Sequence, residues 1–370
     1  MADERIYCIC GETYEAHLAA CPKCNAPNSY LAVKQGRGVK VAAVVGIGTA
    51  VLAILILLPE IVTLNQANPL QMAITILQPQ EVGPTTVPQE GLVERALAAV
   101  NGDRATFGLP PVQLSANQAA QVHAEDVYAN KQISHWLSNG EKPYMTYSRL
   151  GGSGSVQQNV AISGFSQAEY DRCVSSFLLC ERIDPLAAID ELQHEMMYND
   201  KECCNDGHRE NILDPSHTHV SIGIVYDDYY LALVQNFEND YGLQVEIDGT
   251  KVSIAGPMPS GSELEHIVIY YDPLPTVATY EENKNMLAYD SGQLAASVFQ
   301  PLPAGFHYQQ TADHVVIEAR SWESEGMVDV RFDISQAIKE PGVYTLYAMF
   351  EKDGEQFAET SHSIFVGSVS

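Results

Sequence analysis

Gly207-His-Arg-Glu-Asn-Ile-Leu-Asp-Pro215 is the stretch whose reading decides the fold. A glycine opens it, a histidine–arginine pair follows, Ile212 and Leu213 supply an apolar anchor, and Pro215 closes it. The order places His208, a candidate metal ligand or acid/base, at the edge of a compact fold. Two runs rich in β-branched and aromatic residues come next, Val220–Tyr226 and Tyr230–Glu238, and read as strands. Upstream, Leu92, Val93, Ala96, Leu97 and Val100 recur at helical spacing, and Leu109-Pro-Pro111 breaks that helix. Ser115 is placed to cap a second helix, with Ala119, Ala120, Val122, Ala124 and Val127 facing inward. More helix is expected from Gln167 to Leu179 and from Pro185 to Tyr198. Helices packed on an antiparallel sheet make residues 91–240 an α+β domain.

The rest of the 370-residue chain leaves room for further domains. A formal charge of -27 repels phosphate backbones and anionic lipid, which argues against nucleic acid as a partner and in favour of a well-solvated surface. Val41 to Leu58 carries no charge apart from its flanks, and about 18–20 apolar residues cross a bilayer core. Residues 39–64 therefore read as one transmembrane helix with its flanks. Lys34, Arg37 and Lys40 precede it, and no Lys or Arg follows until Arg95. That bias puts the N-terminus in the cytoplasm and the later domains outside, as in an uncleaved signal anchor in the cell membrane. Residues 65–90, with Pro69, Pro79, Pro84 and Pro88, form a linker. Residues 243–370 hold seven short alternating or apolar runs separated by turn residues, which suggests an all-β sandwich of immunoglobulin-like kind without a cysteine pair. Nothing in that region reads as catalytic.

The eight cysteines fall into two sets on either side of the apolar run. Cys8-Ile-Cys10 and Cys21-Pro-Lys-Cys24 offer four thiolates from two tight turns, the donor set of a structural zinc ribbon over residues 1–33. The first turn is CxC instead of CxxC, and His17 is a substitute ligand. Zinc would supply folding energy to a segment too short for its own core. Such a ribbon could dock a cytoplasmic protein partner. Cys173, Cys180, Cys203 and Cys204 fit disulfides and allow three pairings. A bond between neighbours would be strained, so Cys173 and Cys180 are each expected to pair with one of Cys203 and Cys204.

Six elements over residues 91–240 occur in the order of the CAP family, which comprises cysteine-rich secretory, antigen 5 and pathogenesis-related proteins. They are Val100-Asn-Gly-Asp-Arg104 with Gly108-Leu-Pro-Pro111; Ala119, Ala120, His123 and Ala124; Ile133-Ser-His-Trp136; Gln158-Asn-Val-Ala161; the Gly207–Pro215 segment; and Ser221-Ile-Gly-Ile-Val with Val234-Gln-Asn-Phe. The region resembles that family, in its bacterial or archaeal form. The resemblance implies an α-β-α sandwich, an SCP-like extracellular domain, and a cavity with two histidines and two acidic residues able to hold zinc. Carried over, the cavity residues are His135, His208 and Gln158, the last neutral where the family has an acid. The second acid falls on Glu195 or Asp200. Two imidazoles without a carboxylate make an open, weak metal site, and Gln158 cannot act as a base. His135 and His208 remain candidate metal ligands. Arg209, Asn211 and Leu213 read as fold-forming, His194, His217 and His219 as surface or loop residues, and Met196-Met197-Tyr198 as core.

No serine or cysteine sits in an activated-nucleophile context such as GxSxG. The sequence thus supports a membrane-anchored extracytoplasmic CAP-domain protein acting as a binding module for a lipid, glycan or surface protein. Its alternatives are a metal-dependent, peptidase-like hydrolase using His135 and His208, and a transmembrane sensor with a cytoplasmic ribbon.

Overall fold

The computed structural model describes residues 5–7, 13–15, 17–18, 20–23, 89–176, 180–310 and 314–367. The expected membrane helix at 39–64 and three of the ribbon cysteines, Cys8, Cys10 and Cys24, lie outside the described residues. Among the described residues no helix is long and apolar enough to cross a membrane. The fourth ribbon cysteine, Cys21, is buried, whereas His17 is exposed beside Glu15. Strands β1 (Arg5–Tyr7) and β2 (Thr13–Glu15) form an antiparallel pair near the N-terminus.

The α+β domain runs α1 (Gln89–Thr106), β3 (Gln113–Leu114), α2 (Ala119–Asn130), α3 (Pro143–Arg149), β4 (Ser155–Gly164), α4 (Gln167–Ser175), α5 (Pro185–Tyr198), α6 (Lys201–Cys204), α7 (Gly207–Leu213), β5 (His219–Tyr226) and β6 (Tyr230–Asn239). Its sheet has the order β3-β5-β6-β4, so β4 is an edge. Helices α1 and α5 pack on one face through Leu92, Ala96, Val100, Ile189 and Met197. Helix α2 packs on the other through Ala120, Ala124 and Val127. This is the expected three-layer sandwich. Asp184 caps α5 by accepting from the Leu186 and Ala187 amides, with Pro185 in the first turn. Ser115 does not cap α2. Its hydroxyl accepts from the Asn117 amide and donates to Glu238, and α2 starts without a side-chain cap.

Arg104, fully buried at the end of α1, ties this domain together. Its guanidinium donates to the carbonyls of Pro110, Ile212, Asp214 and His217, so one side chain ties the loop after α1 to the end of the Gly207–Pro215 segment and the turn that follows it. Tyr198 departs from the core expected for it. It is exposed and donates to Asp103, while Met196 and Met197 are buried.

The C-terminal region contains β7 (Gln244–Asp248), β8 (Lys251–Pro257), β9 (Glu263–Asp272), α8 (Val277–Asn283), β10 (Gln293–Phe299), β11 (Phe306–Tyr308), β12 (Val315–Glu318), β13 (Ser321–Glu323), β14 (Met327–Asp333), β15 (Gly342–Lys352) and β16 (Glu355–Val366). Sheets of order β12-β10-β9-β15-β16 and β13-β14-β8-β7 enclose one core, to which Ile254, Ile267, Ile269, Val298, Phe332, Leu346 and Phe350 contribute. Strands β10, β11 and β13 add to the seven expected. Strand β11 pairs in parallel with β1, Ile6 lying opposite His307. A ribbon in the cytoplasm and a sandwich outside could not make that pairing.

The two large domains meet along β16 and α3. Ser148 donates to the Ser361 carbonyl and accepts from the Ser363 amide, and Asn239 donates to the Ala358 carbonyl. Glu359 accepts from the Leu243 amide in the connection between the domains. Lys142, just before α3, donates to Asp272 at 2.8 Å and to the Asp290 carboxylate at 2.7 Å, and Tyr144 donates to the second Asp272 oxygen at 2.6 Å.

Strand β5 approaches α2 so closely that a Cβ at Gly223 would lie 2.0 Å from the Ala120 carbonyl oxygen. Gly223→Ala is expected to destabilise the full chain by about 1–3 kcal/mol or more, because neither backbone can yield without moving the helix. Gly102→Ala, with open space around an exposed helical position, should stabilise by up to about 1 kcal/mol. Denaturant midpoints of the two variants check both signs.

Candidate functional site

His135 sits on the loop that leaves α2, where Lys131 turns the chain in a left-handed conformation (φ 50°). The loop is pinned on both sides of the histidine. Buried His123 bonds the Ser134 carbonyl at 2.7 Å, and the Ser134 hydroxyl accepts from the Trp136 amide. His135 Nδ1 lies 3.1 Å from Gln158 Oε1 on edge strand β4. Gln158 Nε2 in turn donates to Asn236 Oδ1 on β6 at 3.1 Å. Oε1 can only accept, so Nδ1 carries the proton and no charge faces this imidazole from the sheet.

His208 is built differently. Asn205 and Asp206 both adopt positive φ, 53° and 66°, a conformation these short polar residues tolerate. The resulting tight reversal brings α7 back over the end of α5. Asp200, 2% exposed, receives it. Its Oδ2 accepts from the His208 and Arg209 amides at 2.8 and 3.3 Å, and its Oδ1 lies 2.6 Å from His208 Nδ1. Asn211 donates to the Asn159 side chain, and Asn159 donates back to the His208 carbonyl, which locks α7 to β4. Arg209 donates to the Met197 carbonyl and lies over the Phe107 ring, so it holds the fold, as expected.

Between the histidines opens a cavity of about 480 Å³. Its floor is His135, Gln157, Gln158, His208, Glu210 and Asn211. Its roof belongs to the C-terminal sandwich: Tyr270 on β9, Tyr347 and Met349 on β15, and Leu287 and Tyr289 on the connection 284–292 between α8 and β10. The Tyr289 ring lies 5.2 Å from the His135 ring, centroid to centroid. Burial holds the His135 pKa down at about 4, and the Gln158 and Leu287 carbonyl oxygens oppose that without cancelling it. The imidazole is therefore neutral at physiological pH.

The structure brings His135, Gln158 and His208 together around one cavity. Glu195 is not part of it: Met196 and Met197 take the buried face of α5, and Glu195 is exposed, accepting from Asn199. The carboxylate facing His208 is Asp200. The cysteine pairing also differs from expectation. Helix α4 stops at Ser175, short of Leu179, and Cys180 returns to pair with Cys173, Cα–Cα 5.5 Å. Cys203 and Cys204 bond to each other. His217, expected at the surface, is buried between Asn239 and the Phe237 ring.

A two-histidine, two-acid zinc site does not fit these residues. Gln158 occupies the place of the first acid, and His135 is absent from the one cluster of donors found among the described residues, Asp200, Cys203, Cys204 and His208. The roof was not read from the sequence as part of a site. A signal was present: on β9 and β15, Ile267, Ile269, Leu346 and Ala348 face the sandwich core, so Tyr270, Tyr347 and Met349 fall on the outer face, where large apolar side chains need a cover.

Removing part of the roof should change His135 first. In Tyr289→Ala the His135 pKa is expected to rise from about 4 towards the ordinary histidine value of about 6.5, read by NMR titration of the imidazole and assigned by comparison with His135→Gln. His123 and His217 are also held below their usual range by burial. As pH falls the unfolded chain takes up these protons first. Stability is therefore full above about pH 6.5 and lost as pH falls towards 4, and melting temperatures across that window should show it.

Comparisons with known proteins find similarity over part of the chain. An extracellular protein containing an SCP domain from Bacillus anthracis str. Ames is similar at 19% identity over 42% of this chain and 45% of that one, with a TM-score of 0.29. An outer surface protein of Borrelia burgdorferi is similar at 11% identity over 42% of this chain and 97% of that one, also with a TM-score of 0.29. The chain thus spans less than half the length of the Bacillus protein. No curated protein matches it. Residues 97–237 match the model of the CAP family, the cysteine-rich secretory protein family, and so form a CAP domain.

Proposed function

We propose that the chain is a membrane-anchored, extracytoplasmic binding protein whose CAP cavity, roofed by the sandwich, takes a neutral hydroxyl-rich ligand of the glycan class. The lining carries this reading. Tyr270, Tyr289 and Tyr347 offer ring faces for the C–H face of a sugar, and Gln157, Gln158 and Asn211 offer amides for its hydroxyls. Among the described lining residues one is a carboxylate, Glu210, and none is Lys or Arg. His135, neutral at physiological pH, adds a hydrogen-bonding group without charge. An anionic headgroup finds no cation here, and a long acyl chain finds amides where it needs carbon.

A hydrolase is the second reading, favoured by the Asp200–His208 hydrogen bond, which orients an imidazole as carboxylates do in acid/base sites. No activated serine or cysteine accompanies it. Anchoring rests on residues 39–64; the basic flank of Lys34, Arg37 and Lys40 favours a cytoplasmic N-terminus, whereas the β1–β11 pairing needs the N-terminal strands on the side of the sandwich. Zinc bound by Cys8, Cys10, Cys21 and Cys24 belongs to the same reading, and a sensor role would add a protein partner for that ribbon.

Neutral oligosaccharides screened against the full chain in detergent, with affinities from calorimetry, test the ligand. Tyr347→Ala is expected to weaken a bound glycan by about tenfold or more. Binding unchanged in that variant, or confined to lipid or protein ligands, overturns the proposal. Hydrolysis of the bound glycan or of a peptide panel, lost in His208→Ala, would install the second reading. Protease added to intact cells should cleave within residues 91–370. Cleavage of residues 1–33 from outside as well would place ribbon and sandwich together, as the β1–β11 pairing has them, and would reject the cytoplasmic ribbon.

A further inference from the structure

We propose that Asp200, Cys203, Cys204 and His208 form a binding site for a divalent metal of the zinc class, closed while the Cys203–Cys204 disulfide is intact and opened by its reduction. One ligand atom from each of these residues lies within 4.8 Å of the others. The four come from the segment 200–208, the turn from the end of α5 through α6 into α7, so their proximity does not depend on how the domains dock. Two sulfurs, one imidazole and one carboxylate are a donor set suited to a tetrahedral zinc-class ion.

The carboxylate is already aimed. Asp200 Oδ2 is committed to two backbone amides, which leaves Oδ1 directed at the cluster, 2.6 Å from His208 Nδ1 and 3.6 Å from Cys203 Sγ. Asp200 is buried and fixed, while Cys203 is exposed and Cys204 half-buried on the wall of the cavity. A dithiol reductant can therefore reach the bond. The thiolate of the reductant attacks one sulfur, the S–S bond breaks, and the second thiol of the reductant releases the mixed disulfide. The protein bond gains two electrons and two protons, and the reductant leaves as its own disulfide. A divalent ion then displaces the two thiol protons and binds both thiolates with Asp200 Oδ1 and a ring nitrogen of His208. In the oxidised state the sulfurs are spent on each other, and a carboxylate–imidazole pair remains. Redox state thus decides whether the wall of the cavity beside Cys204 carries a metal ion.

This site shares Asp200 and His208 with the four cavity positions that the family resemblance suggests and differs in its two sulfurs, which take no part in that set, while His135 and Gln158 take no part in this one. It stands or falls without the glycan.

Cobalt titration of the full chain tests it, before and after reduction with a phosphine, with the reductant removed and air excluded. Cobalt is the probe because thiolate-to-cobalt charge transfer reports sulfur ligation directly. The reduced protein is expected to bind one more equivalent of cobalt than the oxidised protein, with added thiolate absorption. Zinc should displace it. The extra equivalent should disappear in Cys203→Ser/Cys204→Ser, and Asp200→Asn should weaken it by about tenfold or more. Any cobalt held by the N-terminal cysteines is common to wild type and the double serine variant and cancels in the comparison. Near-ultraviolet circular dichroism shows that the variants are folded. Equal cobalt stoichiometry in the oxidised and reduced protein, or an extra equivalent that survives in the double serine variant, overturns the proposal.

Discussion

Lys142 carries three protons, and all three are used at the junction between the CAP domain and the sandwich. One goes to Asp272 Oδ1, one to the Asp290 carboxylate and one to the Asp290 carbonyl. The Lys142 and Asp272 side chains are each 9% exposed, and Tyr144 fills the remaining oxygen of Asp272. Such a pair contributes little over an apolar contact of equal volume, but removing one partner strands the other charge at a cost of about 3–5 kcal/mol. Its importance is therefore positional. Asp290 belongs to the connection 284–292, so the lysine that docks the domains also fixes the segment that lays Tyr289 on His135. The neutrality of His135 and the closed, tyrosine-lined roof of the cavity both follow from that placement.

The cavity has two unlike walls. On one, His135 meets an amide chain, Gln158 to Asn236, that supplies hydrogen bonds and no charge. On the other, His208 meets a buried carboxylate and two sulfurs. The carboxylate missing beside the first histidine is present beside the second, at Asp200. The arrangement separates a polar, uncharged binding surface from a small cluster with its own redox and donor chemistry.

Much of the CAP domain was legible because its helices and strands carry strong periodic patterns and its turns carry proline or glycine. The α5 boundaries followed from that, whereas His135, Gln158 and His208 came from the resemblance to the CAP family. Glu195 and Asp200 stand as alternatives in the sequence because the resemblance gives no firm match for the second acid; burial of Met196 and Met197 turns Glu195 to solvent. Asp200 lies just past the helix, where the reversal through Asn205 and Asp206 decides what it faces. The cysteine pairing depended on where α4 ends. The roof was least legible. Residues 284–292 have no periodic pattern, and their role arises only when Lys142 bonds a segment 148 positions away.

NMR titration of His135 in the full chain, wild type against Lys142→Met, tests most directly whether the sandwich covers the CAP cavity. The His135 pKa is expected near 4 in the wild type and should rise towards about 6.5 in the variant as Tyr289 leaves the imidazole, while His123, buried within the CAP domain, stays below its usual range. An ordinary His135 pKa in the wild type, or the same depressed value in the variant, would contradict the junction as the element on which the site depends.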